Sequence, residues 1–306
     1  MKKYKKNNRI ITILLTVLVK LKIISGKILL NRFSKKLLVD LNLTGISKAI
    51  FTEKYREIDH TNIFAEKLID KKKILDLGAN IGYYMLLESE HADKDAKIIC
   101  IEPDPRNTYL LKENIRINNL GDKTKVLEAA VSGEDGEISI SFTNASNLNR
   151  ITDEKNLNYK STKIKSISLN TVFNIYGYFD CLRMDVEGAE SVILGKNSNL
   201  FLESMPVGSL IFMEVHPGNY IDSDNMMITG LKNLLNFGFE KFSIVTSGVS
   251  PNQKIFQKLG LSNNSYKDGK FNRFYYENVN FEDLEFFALH SPKIIRYVIA
   301  EKKNEN

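Results

Sequence analysis

The segment KILDLGANIG, residues 73–82, constrains the fold of this chain more than any other. A short apolar run ends in an acid and a glycine and passes straight into a helical pattern, which is a strand-to-helix turn. Similar units follow: KIICIEP, with a helix opening at Asp104-Pro105; KVLEAAVSG; YFDCLRMDVEG, before a helix through Gly195; SLIFMEVHP, before a helix over about 222–236; and FEKFSIV. Asp104 ahead of Pro105 is a cap residue before proline at the first helical position. Strand–helix alternation with short links builds βαβ units, so the expected class is α/β with a doubly wound, mostly parallel sheet. Between the third and fourth units, EISISF alternates like an exposed strand or hairpin, and residues 143–163 read as a polar loop beside or over the site. After Asn272, FYYENV and FFAL read as final strands, and the residues beyond Ala300 as frayed.

With 306 residues, 43% hydrophobic and 26% charged, the chain can bury one large core, and a disordered, collagen-like or coiled-coil chain is excluded. Cys100 and Cys181 lie in apolar strand-like runs and are too few for a disulfide framework, so they read as reduced core thiols of a cytoplasmic protein. The net charge of +6 is unevenly spread. Up to Lys36 there are eleven Lys or Arg and no acid; the remaining 32 basic and 37 acidic residues give −5. A nucleic-acid partner is therefore not expected, because the body lacks the positive surface such binding needs.

The basic end carries RIITILLTVLVKLKIISGKILL, residues 9–30. Its uncharged stretch, 10–19, is half of the ~20 residues needed to span a bilayer. On a helix, Thr12, Thr16 and Lys20 form a narrow polar stripe beside a broad apolar face. Two readings stand: a helix lying on an anionic membrane surface, and a helix packed on its own domain. No small-x-small cleavage site follows, so a signal peptide is not expected. The chain divides into a basic, apolar helical segment (1–36), a helical lead-in (37–72) and the α/β domain (73–300).

The chemistry gathers at strand ends. Gly78 and Gly82 sit in a turn where helix-terminal N–H groups favour negative ligand groups, and Glu102, twenty residues on, suits a ribose diol. Asp76, Glu102, Ala130, Asp185 and His216 each fall at the carboxyl end of a different expected strand, the edge where open α/β sheets bind ligands.

In order and spacing, ILDLGANIGYY, IEPDP, EAAVSG, LRMDVEGAE and FMEVHP resemble the FkbM-type methyltransferase family, from about residue 73 to 220. The resemblance implies the class I methyltransferase fold, a Rossmann-like seven-stranded sheet here preceded by a helical extension. It also implies S-adenosylmethionine (SAM) as cofactor and O-methylation of hydroxyls. It puts Asp76, Gly78, Asn80 and Gly82 around the methionine portion of SAM and Glu102 on the ribose. Ala130 then lies near the adenine and Asp185 close to the transferring methyl. Two departures bear on the acceptor: Arg183 stands where Lys is usual, and Asn170 where Asp is common.

The expected function is SAM-dependent methyl transfer to a hydroxyl of a saccharide or other polyhydroxylated acceptor. The acceptor is lipid-linked, and the protein sits at the inner membrane face, if the N-terminal helix binds lipid. His216 is the expected general base, because an unperturbed imidazole pKa of about 6.5 suits neutral pH, and Asp185 is its rival. No metal is expected. Asp185, Glu187, Glu214, His216 and Asn219 offer ligands, but strand alternation is taken to turn one of each pair away. Two alternatives remain. N-methylation of protein or nucleic acid lacks the Asn/Asp-Pro-Pro-aromatic run, since residues 185–188 read DVEG. A non-catalytic nucleotide-binding protein of the same fold is opposed by the intact Asp76, Gly82, Glu102 and Asp185.

Overall fold

A computed structural model of the chain describes residues 9–43, 45–53, 57–141, 150–151, 161–221, 223–247, 263–268, 271–290 and 295–303. It begins with helix α1 (Arg9–Lys20), a hairpin of β1 (Lys27–Arg32) and β2 (Lys35–Asp40), and helices α2 (Ile46–Thr52) and α3 (Ile58–Lys67). The alternation then starts with β3 (Lys73–Leu77), α4 (Tyr83–His91), β4 (Lys97–Ile101), α5 (Pro105–Ile117) and β5 (Thr124–Leu127). A side sheet follows, made of β6 (Ala130–Val131), β7 (Gly136–Ser141), β8 (Arg150–Ile151) and β9 (Ser161–Ile167). The alternation resumes with α6 (Leu169–Tyr176), β10 (Cys181–Met184), α7 (Glu190–Gly195), α8 (Asn199–Ser204), β11 (Leu210–Glu214), α9 (Asp224–Asn236) and β12 (Phe239–Ser247). The chain closes with β13 (Asn263–Asp268), β14 (Phe271–Val279), α10 (Phe281–Leu289) and β15 (Ile295–Lys302).

The main sheet runs β13-β14-β12-β15-β11-β10-β3-β4-β5. Its inner seven strands, β12 through β5, are the expected mostly parallel sheet, with β15 antiparallel to both neighbours. The β13–β14 hairpin extends it antiparallel. Both faces are covered, so the central strands are mostly apolar on both sides, with Asp76 in β3 and Arg183 in β10 as buried exceptions. Leu75, Leu77, Ile99, Leu182, Met184 and Met213 face one core, and Ile74, Ile98, Cys100, Cys181 and Phe212 face the other. Both cysteines are buried and free. Successive units run outward from β3 through β4 to β5, and the chain then returns to β10 on the other side of β3. That reversal is the topological switch point, where ligands bind in such sheets.

The N-terminal region differs from the helical reading. Residues 27–40 form a hairpin turning at Phe33 and Ser34, both in positive φ (50° and 32°). Turns of that hand favour Asn-Gly, so Phe-Ser hides the signal, although KKLLVD shows the two-residue burial period of a strand. The expected boundary at 36/37 therefore cuts through a hairpin whose Leu37 and Val39 are wholly buried. Helix α1 packs Leu15 and Val19 against Leu41 and Phe51, and leaves Ile13, Leu14 and Val17 about half exposed. At the other end, FFAL lies in α10 and not in a strand. Asn280 caps that helix by accepting from the Asp283 N–H, and β15 continues past Ala300 to Lys302. Most of the expected 143–163 loop lies outside the described residues.

Candidate active site

At the switch point the carboxyl edge of the sheet opens into a cleft of about 510 Å³, counting its open mouth, lined among others by Gly78, Asn80, Tyr84, Asp185, Glu187 and Glu214. Two glycines allow the strand ends to converge there. Gly78 has φ +73°, and a methyl group on its Cα would lie 2.0 Å from the Asp185 carbonyl oxygen. Gly188 has φ +111°, and its added methyl would lie 2.2 Å from the Asn219 carbonyl oxygen. Only glycine permits both the backbone angles and these approaches.

Asp76 lies inside β3, fully buried, beneath the cleft. Its Oδ1 accepts from Arg183 Nη1 (3.1 Å), while Arg183 Nη2 donates to Asp185 Oδ2 (3.0 Å). The guanidinium also donates to the Gly78 carbonyl and stacks 4.1 Å from the centre of the Tyr84 ring. A lysine has neither the fork nor the flat face for this, so the departure at 183 has a structural use. Burial raises the Asp76 pKa despite Arg183. Asp76 thus positions Arg183, and through it Asp185.

Glu102 follows β4 directly and is 4% exposed. Its Oε2 accepts from the Asn80 N–H (2.9 Å), and its Oε1 accepts from the Asp104 N–H (3.0 Å) and Asn107 Nδ2 (3.1 Å). A carboxylate has about four acceptor positions, so one remains, on Oε2. Asn107 Oδ1 on the same amide group is buried without a hydrogen-bond partner. The open position on Glu102 Oε2 is an acceptor for one hydroxyl donor. Burial pushes the Glu102 pKa up to about 7, against the hydrogen bonds that favour its charged form.

His216 follows β11 by two residues. Its backbone N–H and Nδ1 both meet Glu190 Oε1, at 2.7 and 3.1 Å, and Glu190 Oε2 accepts from the Gly188 N–H (2.8 Å). Held in this way, the ring turns Nε2 toward three carboxylates: Glu214 Oε1 at 3.6 Å, Glu187 Oε2 at 3.8 Å and Asp185 Oδ1 at 3.9 Å. Burial opposes the imidazolium, but Glu190, Glu214 and Asp185 outweigh it and hold the His216 pKa well above its ordinary value. His216 is therefore not the unperturbed imidazole on which the general-base expectation rests. Burial, then Asp185, pushes Glu214 well above the carboxylate range, and the Tyr297 hydroxyl lies 2.8 Å from its Oε2.

The expected turning-away of alternate residues does not occur. Glu214 and His216 are two apart and project to the same side, as do Asp185 and Glu187. Asp185, Glu214 and His216 each offer a ligand atom within 4.8 Å of the others. Of the other expected residues, Asn80 (φ 52°) and Gly82 (φ 88°) shape the turn into α4. Ala130 is buried and opens β6 of the side sheet, three residues beyond the end of β5. Asn170 accepts from the Phe201 N–H at 3.3 Å, tying α6 to α8. Sequence reading missed Glu190, Asn107 and Tyr297. Glu190 closes the MDVEGAE run, and Asn107 follows Glu102 by five residues in the next helix, whereas Tyr297 arrives only through the pairing of β15 with β11.

A model of the methyltransferase FkbM domain matches residues 76–241. A comparison with curated proteins gives no match. Among solved structures, the chain is similar to a proposed SAM-dependent methyltransferase from Streptococcus mutans (12% identity, 90% of this chain and 56% of that one, TM-score 0.46). It is also similar to M. jannaschii TYW2 in complex with AdoMet (12%, 91% and 86%, 0.41) and to an O-methyltransferase from Bacillus cereus in complex with SAH (11%, 81% and 82%, 0.40).

Proposed function

This chain belongs to the FkbM methyltransferase family and is a SAM-dependent methyltransferase, and we propose that it methylates a hydroxyl of a saccharide or another polyhydroxylated acceptor. The observation that carries this reading is the wall of the cleft. Beside the glycine turn it is formed by Asp185, Glu187 and Glu214. Ionised carboxylates only accept hydrogen bonds, so a wall carrying Asp185 and Glu187 suits an acceptor presenting several O–H donors and repels phosphate. When bound, SAM supplies an activated methyl on a sulfonium. The chain's own part is to aim the acceptor oxygen, which removes up to roughly 7–11 kcal/mol of barrier in well-oriented systems, and to receive its proton. Asp185, held by Arg183 with its side chain 28% exposed, takes that proton. His216 behind it balances the carboxylates.

The test uses SAM carrying a trideuterated methyl group, incubated with the full chain and with glycan and lipid extracts from cells lacking the gene. Mass spectrometry is expected to find the label on the oxygen of a hydroxylated glycan or glycolipid. Label found on protein or nucleic acid instead would overturn the acceptor class.

We also place the protein at a membrane surface. Among the described residues, no helix is long and apolar enough to cross a membrane. The outer side of α1, with Ile13, Leu14 and Val17, continues into exposed Leu21 and Ile23, within a segment holding eleven cations and no acid. Each cation near an anionic surface adds about 1 kcal/mol of attraction. The full chain is expected to float with phosphatidylserine vesicles, and Ile13→Glu with Val17→Glu to abolish flotation. Equal flotation of that variant, or none of the parent, would refute the placement. Truncation at residue 36 is a poor probe because it cuts the β1–β2 hairpin.

A further inference from the structure

We propose that Asp185, Glu214 and His216 form a binding site for one divalent cation of the Mn²⁺ class, at the acceptor end of the cleft. Three observations support it. The first is spacing. Nε2 of His216 lies 3.6 Å from Glu214 Oε1 and 3.9 Å from Asp185 Oδ1, too far for a hydrogen bond, and the three residues offer ligand atoms within 4.8 Å of one another. Ligand bonds of about 2.1 Å to a common ion would separate the ligand atoms by roughly 3.0 to 4.2 Å, depending on the angle between them. Both separations from Nε2 fall inside that window.

The second observation is orientation. The atoms turned inward are Nε2, Asp185 Oδ1 and Glu214 Oε1. All three side chains are gripped from outside the cluster by their other polar atom. Glu190 takes His216 Nδ1, Arg183 takes Asp185 Oδ2, and Tyr297 takes Glu214 Oε2. A carboxylate behind the distal nitrogen of a ligating histidine is the recurring support of protein metal sites. His216 itself is only 13% exposed, and its Nε2 makes no hydrogen bond.

The third observation is charge. The carboxyl groups of Asp185, Glu214 and Glu190 gather around His216 with one buried guanidinium, that of Arg183, beside them, and a divalent ion adds positive charge where they meet. Oxygen ligands with one imidazole and no thiolate suit Mn²⁺ or Mg²⁺ among common ions. All three inward atoms belong to residues at the cleft or directly behind it, so the ion would meet the acceptor hydroxyl and acidify it. Only that last role rests on the methyl-transfer reading.

The test is an equilibrium titration of the EDTA-stripped, desalted full chain with MnCl₂ in the absence of SAM, reading the electron paramagnetic resonance signal of free Mn²⁺. One ion per chain is expected. His216→Ala and Glu214→Gln should each weaken binding at least about tenfold, and Glu190→Gln, acting through His216, about tenfold. SAM binding to each variant, measured by calorimetry in EDTA, reports whether the fold survives. No stoichiometric Mn²⁺ binding by the parent chain would overturn the site. So would parent-like affinity in a correctly folded His216→Ala protein. Mn²⁺ binding without SAM binding would leave the site standing and remove the methyl-transfer reading; the reverse would remove the site alone.

Discussion

Replacing His216 with alanine is expected to lower turnover at least about a hundredfold while changing SAM affinity less than about threefold. The ring touches no residue of the glycine turn or of the Glu102 cluster, so the cofactor side should be spared. What is lost is the group that faces Asp185, Glu187 and Glu214 together. Without it, three carboxylates share one end of the cleft with only Arg183 to offset them, and neither the proton of the acceptor nor a cation is received in the same place. Glu190→Gln keeps the ring but weakens its support, and should cost about tenfold in turnover. Paired measurement of kcat and SAM affinity in both variants checks this. A parallel loss of cofactor affinity would show that the two halves of the cleft are not separate, and an unchanged kcat would remove His216 from the reaction.

The second large effect belongs to Glu102. A ribose hydroxyl donates to its carboxylate form, so cofactor binding favours ionisation and lowers a pKa that burial holds at about 7 in the free protein. The sign follows directly: affinity is full above pH 7 and falls as pH drops through 7. Between pH 8 and pH 6 the loss should be about tenfold, with a proton released on binding near pH 7. Glu102→Gln should remove this dependence and weaken SAM about ten- to a hundredfold at pH 8. It puts an NH₂ group against the Asn80, Asp104 and Asn107 donors, and clashing donors of this kind cost about 1–3 kcal/mol. Calorimetry across pH, in two buffers of different ionisation heat, measures both quantities.

What was legible in the sequence followed from local chemistry. Strand ends carrying Glu102, Asp185 and His216 could be lined up because a parallel sheet sends every carboxyl end to one edge, and short glycine turns mark where each strand stops. The Asp104-Pro105 start of α5 was equally readable, and Asp104 does accept from the Arg106 N–H. Features that depend on distant pairing were not readable. Tyr297 reaches Glu214 only because β15 inserts antiparallel between β11 and β12. The hairpin at 27–40 was hidden by an unusual turn pair. The acidic surroundings of His216 are not readable because Glu190 and Glu214 stand in other elements. Asp76 looked like a cleft residue; one step inside its strand, it became the anchor of Arg183.

The central claim is geometric: SAM lies with its ribose at Glu102 and its methyl facing Asp185, Glu214 and His216. The most direct measurement is a crystal structure of the chain with S-adenosylhomocysteine. The account predicts a ribose hydroxyl on Glu102 Oε2, the amino-acid portion along the Gly78–Gly82 turn, and the sulfur turned toward Asp185. A nucleoside bound elsewhere, with Glu102 untouched or the sulfur facing away from the carboxylate wall, would contradict it.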